Sequence, residues 1–229
     1  MSTNPVFPLL QFSDATFPVG TFSFSNGLET ASYEGLVHDA ATLEQYTRSA
    51  ARQAAFSDGV AALVSYRATQ TGDYDGIRRA DDALLRFKMN DEARLMLCRM
   101  GKKLAELGVH LWGDDTLMGR WLADIRGGAT PGCYPVAQGI AFAMAGIGER
   151  ELYASHQYGV ACMVVSAALR CVRVSHYDTQ AILYRLAADT DALYEQARTM
   201  DLDSMHSFVP EMDILASLHE KGKMRMFMN

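Results

Sequence analysis

A chain of 229 residues that is 49% hydrophobic and 21% charged has enough apolar surface for one large core or two small ones. Its formal net charge of -6 argues against a nucleic-acid binder, because that affinity rests on Lys and Arg neutralising phosphates. The first residues lack a basic segment followed by an apolar run, so no export signal is expected and a cytoplasmic location is inferred.

In chain order, the first feature is Phe17-Pro18-Val19-Gly20. Pro18 fixes φ and Gly20 tolerates positive φ, so a turn is predicted, after which Ser23 or Ser25 can cap a helix. Thr42 with Gln45 forms a capping-box pattern ahead of Leu43, Tyr46, Ala50 and Ala54, which share one helix face. Asn90 is placed to cap a helix through Leu95, Leu97, Met100, Leu104 and Leu107, ending at Gly108. A shorter helix fits Asp115 to Ile125, and the Gly-rich segment 127–132 reads as a loop. Pro135 suits the first turn of a helix to about Ala145, stopped by Gly146 and Gly148.

A long helix is predicted from Glu149 to about Val172. Its stretch from Tyr158 is the most apolar of the chain but carries Arg170 and falls short of the about 18 uncharged residues of a membrane span. Ser175 with Asp178 can cap the next helix, through Ile182, Leu186 and Tyr194, and Pro210 starts a last short one ended by Gly222. No segment alternates apolar and polar residues with β-branched enrichment. The expected fold is therefore all-α, a bundle of about eight to ten helices, and without a Gly/Ser tract or charge block to divide it a single domain over 1–229 is expected.

Several chemistries lack their residues. There is no P-loop, Gly146-Ile147-Gly148 lacks the third glycine of a dinucleotide fingerprint, and Asp203-Ser204-Met205-His206 is a single imperfect match to the paired Glu-x-x-His of a di-iron bundle. The six histidines never fall three or four apart, so no metal ligand set is assigned. Cys98, Cys133, Cys162 and Cys171 contain no Cys-x-x-Cys pair and are read as reduced, buried, inert thiols.

The run from Phe17 through Ser25-Asn26-Gly27-Leu28-Glu29 resembles the entry motif of the urease accessory protein F family. The resemblance continues through Lys88-Met89-Asn90-Asp91-Glu92-Ala93-Arg94 with Met100-Gly101-Lys102-Lys103-Leu104, then Tyr134-Pro135-Val136-Ala137-Gln138-Gly139. It resumes at Ala168-Leu169-Arg170 with Asp178-Thr179-Gln180, then from Met212-Asp213-Ile214 to His219-Glu220, and closes on Met224-Arg225-Met226-Phe227. It spans nearly the full length. Departures at Thr21, at Arg173-Val174-Ser175-His176 and at Met228-Asn229 mark a divergent branch.

The resemblance implies a non-enzymatic scaffold with no catalytic residue and no cofactor. Such a scaffold forms a homodimer, binds the urease accessory proteins D or H and the GTPase G, and couples GTP hydrolysis to nickel insertion into apo-urease. It implies Glu29, Arg170, Asp178 and Gln180 on the GTPase side, and Arg225, Met226 and Phe227 on the D/H side, within a tail of about 223–229 that is mobile until a partner orders it. The residues themselves leave local roles open: Glu29 can serve a helix dipole, Arg170 can end a long helix, and Asp178 can simply cap. The rival is an all-α enzyme with a pocket of His156, Tyr158, Arg170 and His176, against which broad apolar surface patches are expected.

Overall fold

The structure, a computed structural model, describes residues 4–14, 16–20, 24–206, 209–220 and 226–227. Among these residues there are eleven α-helices and a 3-10 turn at Leu202–Ser204, and no strand, so the chain is all-α. The helices are α1 (Val6–Ser13), α2 (Leu28–Tyr33), α3 (Ala40–Ala55), α4 (Asp58–Thr71), α5 (Tyr74–Phe87), α6 (Asp91–Trp112), α7 (Leu117–Arg126), α8 (Tyr134–Met144), α9 (Glu149–Cys171), α10 (His176–Ala197) and α11 (Pro210–Glu220).

The largest core lies around α8, which packs on α4, α6, α7 and α9. Helix α4 is buried on nearly every face from Asp58 to Leu63, so its sequence carries no stripe and the periodicity did not mark it. Its approach to α8 needs Gly139, where a Cβ would lie 2.6 Å from the Ala62 carbonyl oxygen. A second core joins α2, α3, α9, α10 and α11 around Leu28, Leu43, Val164 and Ile182, each fully buried and worth roughly 1.5–3 kcal/mol relative to exposure.

Local chemistry revises several predicted boundaries. The N-cap of α3 is Asp39, and Thr42 is its reciprocal partner three residues on: the Asp39 carboxylate accepts from Thr42 N at 2.8 Å, and the Thr42 hydroxyl accepts from Asp39 N at 3.1 Å. Asn90 caps α6 as expected, but that helix runs through Gly108 to Trp112. Gly108 is a packing glycine whose added Cβ would lie 2.9 Å from Met118, and it is Gly113, at φ 93°, that ends the helix. Thr116 caps α7, and Ser175 with Asp178 forms the capping box of α10. The proposed stop at Gly222 lies outside the described residues, as does Ser23.

Among the described residues no helix is long and apolar enough to cross a membrane. The cysteines are free, but only Cys133 is fully buried; Cys98, Cys162 and Cys171 are half-buried, which corrects the expectation of four interior thiols.

Candidate functional site

The site is built from Gly27-Leu28-Glu29. Asn26 and Gly27 both take positive φ, 53° and 78°, and the Tyr46 hydroxyl donates to the Asn26 carbonyl at 2.7 Å to hold that turn. Gly27, not Ser25, is the N-cap of α2. A side chain at Gly27 would meet Met212 O and Ala216 N, both at 3.2 Å, so glycine lets α11 lie directly on the start of α2. Leu28 then enters the second core, and Glu29 in the first turn faces α11 and the tail.

Glu29 has a side chain only 17% exposed. One carboxylate oxygen accepts from Met226 N at 2.8 Å; the other accepts from Phe227 N at 3.2 Å and lies 2.8 Å from His219 Nε2. The opposite ring nitrogen of His219, Nδ1, lies 3.2 Å from Glu92 at the start of α6. Both ring nitrogens of the 4% exposed His219 thus face carboxylate oxygens. Helix α11 is further held by Asp213, which accepts from Asn90 at 3.0 Å and from Gln53 at 3.4 Å.

Phe227 is 6% exposed and packs in the second core, with the Arg170 guanidinium carbon 5.2 Å from its ring centroid. Arg170 ends α9 at the surface, and the neighbouring Cys171 carbonyl accepts from Ser32 of α2 at 2.5 Å, fixing the end of α9 against α2. Two predicted groups from distant parts of the chain, Glu29 with Arg170 and Met226 with Phe227, therefore meet. The expectation of a tail unanchored in the free protein is corrected at Phe227, whose ring is core. Arg225 lies outside the described residues.

Asp178 and Gln180 are not part of this cluster of contacts. The Asp178 carboxylate accepts from Ser175 N at 2.8 Å and from its hydroxyl at 2.7 Å, which holds its pKa below the usual range; Gln180 is exposed on α10. Glu92 and His219 are the participants the sequence did not single out, although each stood inside a quoted motif block.

Arg170 and Phe227 also line a cavity of about 110 Å³ that reaches His156 and Tyr158 between α1, α6, α8 and α9. Three of the four residues of the rival pocket thus share one space, and His176 does not line it: it is exposed at the start of α10. His156 is buried with Nδ1 2.8 Å from Gln138 Oε1, and burial holds its pKa below the ordinary value. Among the described residues its Nε2 has no hydrogen-bond partner, and the Ser13 and Ser155 hydroxyls bond each other at 2.7 Å. Among the described residues no three His, Cys, Asp or Glu side chains form a group able to hold a metal.

A family model for UreF matches residues 37–187. Full-length relatives named urease accessory protein UreF include those of Yersinia pestis (strain Pestoides F) and Yersinia pseudotuberculosis serotype IB, each 45% identical over 229 residues, and that of Yersinia enterocolitica serotype O:8, 44% identical over 229 residues; the match covers all of both chains in each case. Glu29 and the tail lie beyond the span of the family model but within these full-length matches. The chain belongs to the UreF family of urease accessory proteins, which are accessory factors rather than enzymes.

Proposed function

We propose that this protein is a cytoplasmic, homodimeric scaffold that bridges a D/H-type accessory protein and the GTPase G and couples GTP hydrolysis to nickel delivery into apo-urease. The observation that carries this is the union of the two assigned surfaces. Glu29 and Arg170, assigned to the GTPase side, hold Met226 and Phe227, assigned to the D/H side, through two backbone N–H bonds and a cation–π contact. A partner that takes the tail must free Glu29 and Arg170, and a partner that takes those charges must loosen the tail. Sharing of this kind is what a coupling free energy between two binding events requires, typically about 1–3 kcal/mol.

The surroundings support a docking role. Tyr33 at the end of α2, Leu36 just after it, Ile214 and Leu218 on α11, and Met226 are exposed large apolar side chains on packed neighbours. Asp178 and Gln180 extend the GTPase side along α10 in this reading. A two-fold dimer would carry two GTPases symmetrically, and the exposed Val6, Phe7 and Leu10 of α1 offer an apolar face for it.

Co-expression with the D/H-type protein, the GTPase and apo-urease tests the proposal. The wild-type chain is expected to co-purify with both accessory partners, and Arg170→Ala to lose the GTPase while retaining its helical circular dichroism. A folded wild-type chain that retains neither partner would overturn it.

A further inference from the structure

We propose that the cavity between α1, α6, α8 and α9 is a binding site for one small neutral phenol, whose ring the apolar lining takes and whose hydroxyl donates to His156 Nε2. The space measures about 110 Å³, and Phe12, Phe17, Val19, Met100 and Met163 make much of its wall apolar. A single water needs only about 10–15 Å³ together with two to four polar partners, so this volume would hold several waters and leave most of them unbonded. An apolar cavity of about 150 Å³ takes benzene, which makes one six-membered ring the right size of occupant. The wall also suits a ring: Phe12 already stands edge-on to Phe17 at 5.4 Å, and methionine thioethers adapt to aromatic faces.

The polar atoms decide what the ring must carry. The Ser13 and Ser155 hydroxyls bond each other at 2.7 Å, and Gln138 uses both ends of its amide, Oε1 on His156 Nδ1 at 2.8 Å and Nε2 on the Tyr134 hydroxyl at 3.2 Å. Among the described residues, His156 Nε2 is then the only buried side-chain nitrogen or oxygen of this lining without a partner, on a side chain 5% exposed. Because an amide oxygen only accepts, Nδ1 carries the hydrogen of its bond to Gln138. A second hydrogen on Nε2 would be a buried donor with no acceptor, and burial, which holds the ring's pKa below the ordinary value, favours the open lone pair. The missing partner is a hydrogen-bond donor.

Charge narrows the class further. Asp58 belongs to the same lining, where an anionic head would meet its carboxylate. A cationic head finds that carboxylate taken by Lys88 Nζ and the Ser57 hydroxyl. A neutral ring with one O–H fits both conditions. Phe227 and Arg170 are part of the same lining, so the occupant and the seated tail share a wall.

The test titrates the full wild-type chain with phenol and with fluorobenzene, a near-isostere with no hydrogen to donate, following side-chain resonances. Phenol is expected to saturate one site roughly three- to tenfold more tightly than fluorobenzene. It should move the His156 Nε2 resonance together with those of Phe12, Met163 and Phe227, whereas fluorobenzene leaves Nε2 in place. His156→Phe is expected to level the two affinities, and the wild-type titrations decide by themselves should that variant not fold. Equal affinity of the wild type for both probes, no saturable phenol binding, shifts confined to residues outside this lining, or an undiminished phenol preference in a folded His156→Phe chain would each overturn the proposal.

Discussion

Two carboxylates in this protein each accept two backbone N–H groups from a distant stretch of chain, and they differ in what it would take to release them. Asp81 accepts from Gly132 N at 2.9 Å, Cys133 N at 2.7 Å and the Thr130 hydroxyl at 2.7 Å, in the fully buried junction that positions α8. Glu29 accepts from Met226 N and Phe227 N at the opposite end of the sequence, beside an exposed Arg170. The bond chemistry is the same. The segment gripped by Asp81 cannot leave without dismantling the main core, whereas releasing Met226 and Phe227 opens two hydrogen bonds and one cation–π contact and withdraws a single buried ring, that of Phe227, from the second core. One grip is built to persist and the other to be exchanged.

The comparison breaks first at Asp81. Asp81→Ala orphans three buried donors, each costing about 1–3 kcal/mol, so a loss of roughly 3–9 kcal/mol is expected in chemical denaturation, with loss of tertiary structure if the chain is marginal. A change under 1 kcal/mol would show that the junction holds without it.

A comparable loss is expected at the neighbouring buried ion pair, where Lys88 Nζ lies 2.5 Å from Asp58. Burial pushes the Asp58 carboxyl up, but Lys88, His156 and Ser57 outweigh it and leave the pKa below 3.8. The pair's contribution to stability is therefore present above 3.8 and lost as pH falls through the lower folded value. Lys88→Met strands a buried carboxylate at a cost of about 3–5 kcal/mol at neutral pH. Its stability should then improve on acidification while that of the wild type declines, which paired denaturation curves at two pH values would check.

Glu29→Gln should cost far less, about 1–2 kcal/mol, and locally: it keeps one acceptor oxygen but removes the charge that strengthens both tail bonds. Amide exchange at Met226 and Phe227 is expected to quicken roughly tenfold or more, while amides of α4 and α8 stay as they are. Uniform acceleration across both helices would mean that Glu29 supports the fold in the way Asp81 does.

The smallest effect is expected at Asp178, a carboxylate that serves only its own helix. Ser175 holds its pKa below 3.8, so its contribution is present above that value and fades as pH falls. Asp178→Ala should fray only the first turn of α10, seen as faster exchange of the Asp178 and Thr179 amides with no movement of the global unfolding midpoint.

Much of this architecture was legible because caps and glycines are local signals. Asn90, Pro135 and Ser175 with Asp178 each open the helix assigned to them, since a side-chain oxygen or a fixed φ acts within three residues. Gly108 misled because a glycine required by close packing and one required by positive φ are the same letter; Gly113 carried the second role. Helix α4 left no stripe because it is buried all round, yet α5 is amphipathic and could have been read. At the site, the resemblance supplied Glu29, Arg170 and Phe227 as separate assignments. Their meeting was not legible, because it depends on His219 and Glu92 closing contacts across 190 and 127 positions of sequence.

The central claim is that tail capture and GTPase binding draw on the same residues. Isothermal titration of the GTPase into the free protein and into its preformed complex with the D/H-type partner measures that coupling directly. At least a roughly fivefold difference in affinity between the two titrations is expected for the wild type, the low end of ordinary coupling, and a ratio near one for Glu29→Gln. An unchanged ratio in the variant, or no difference between the two wild-type titrations, would contradict it.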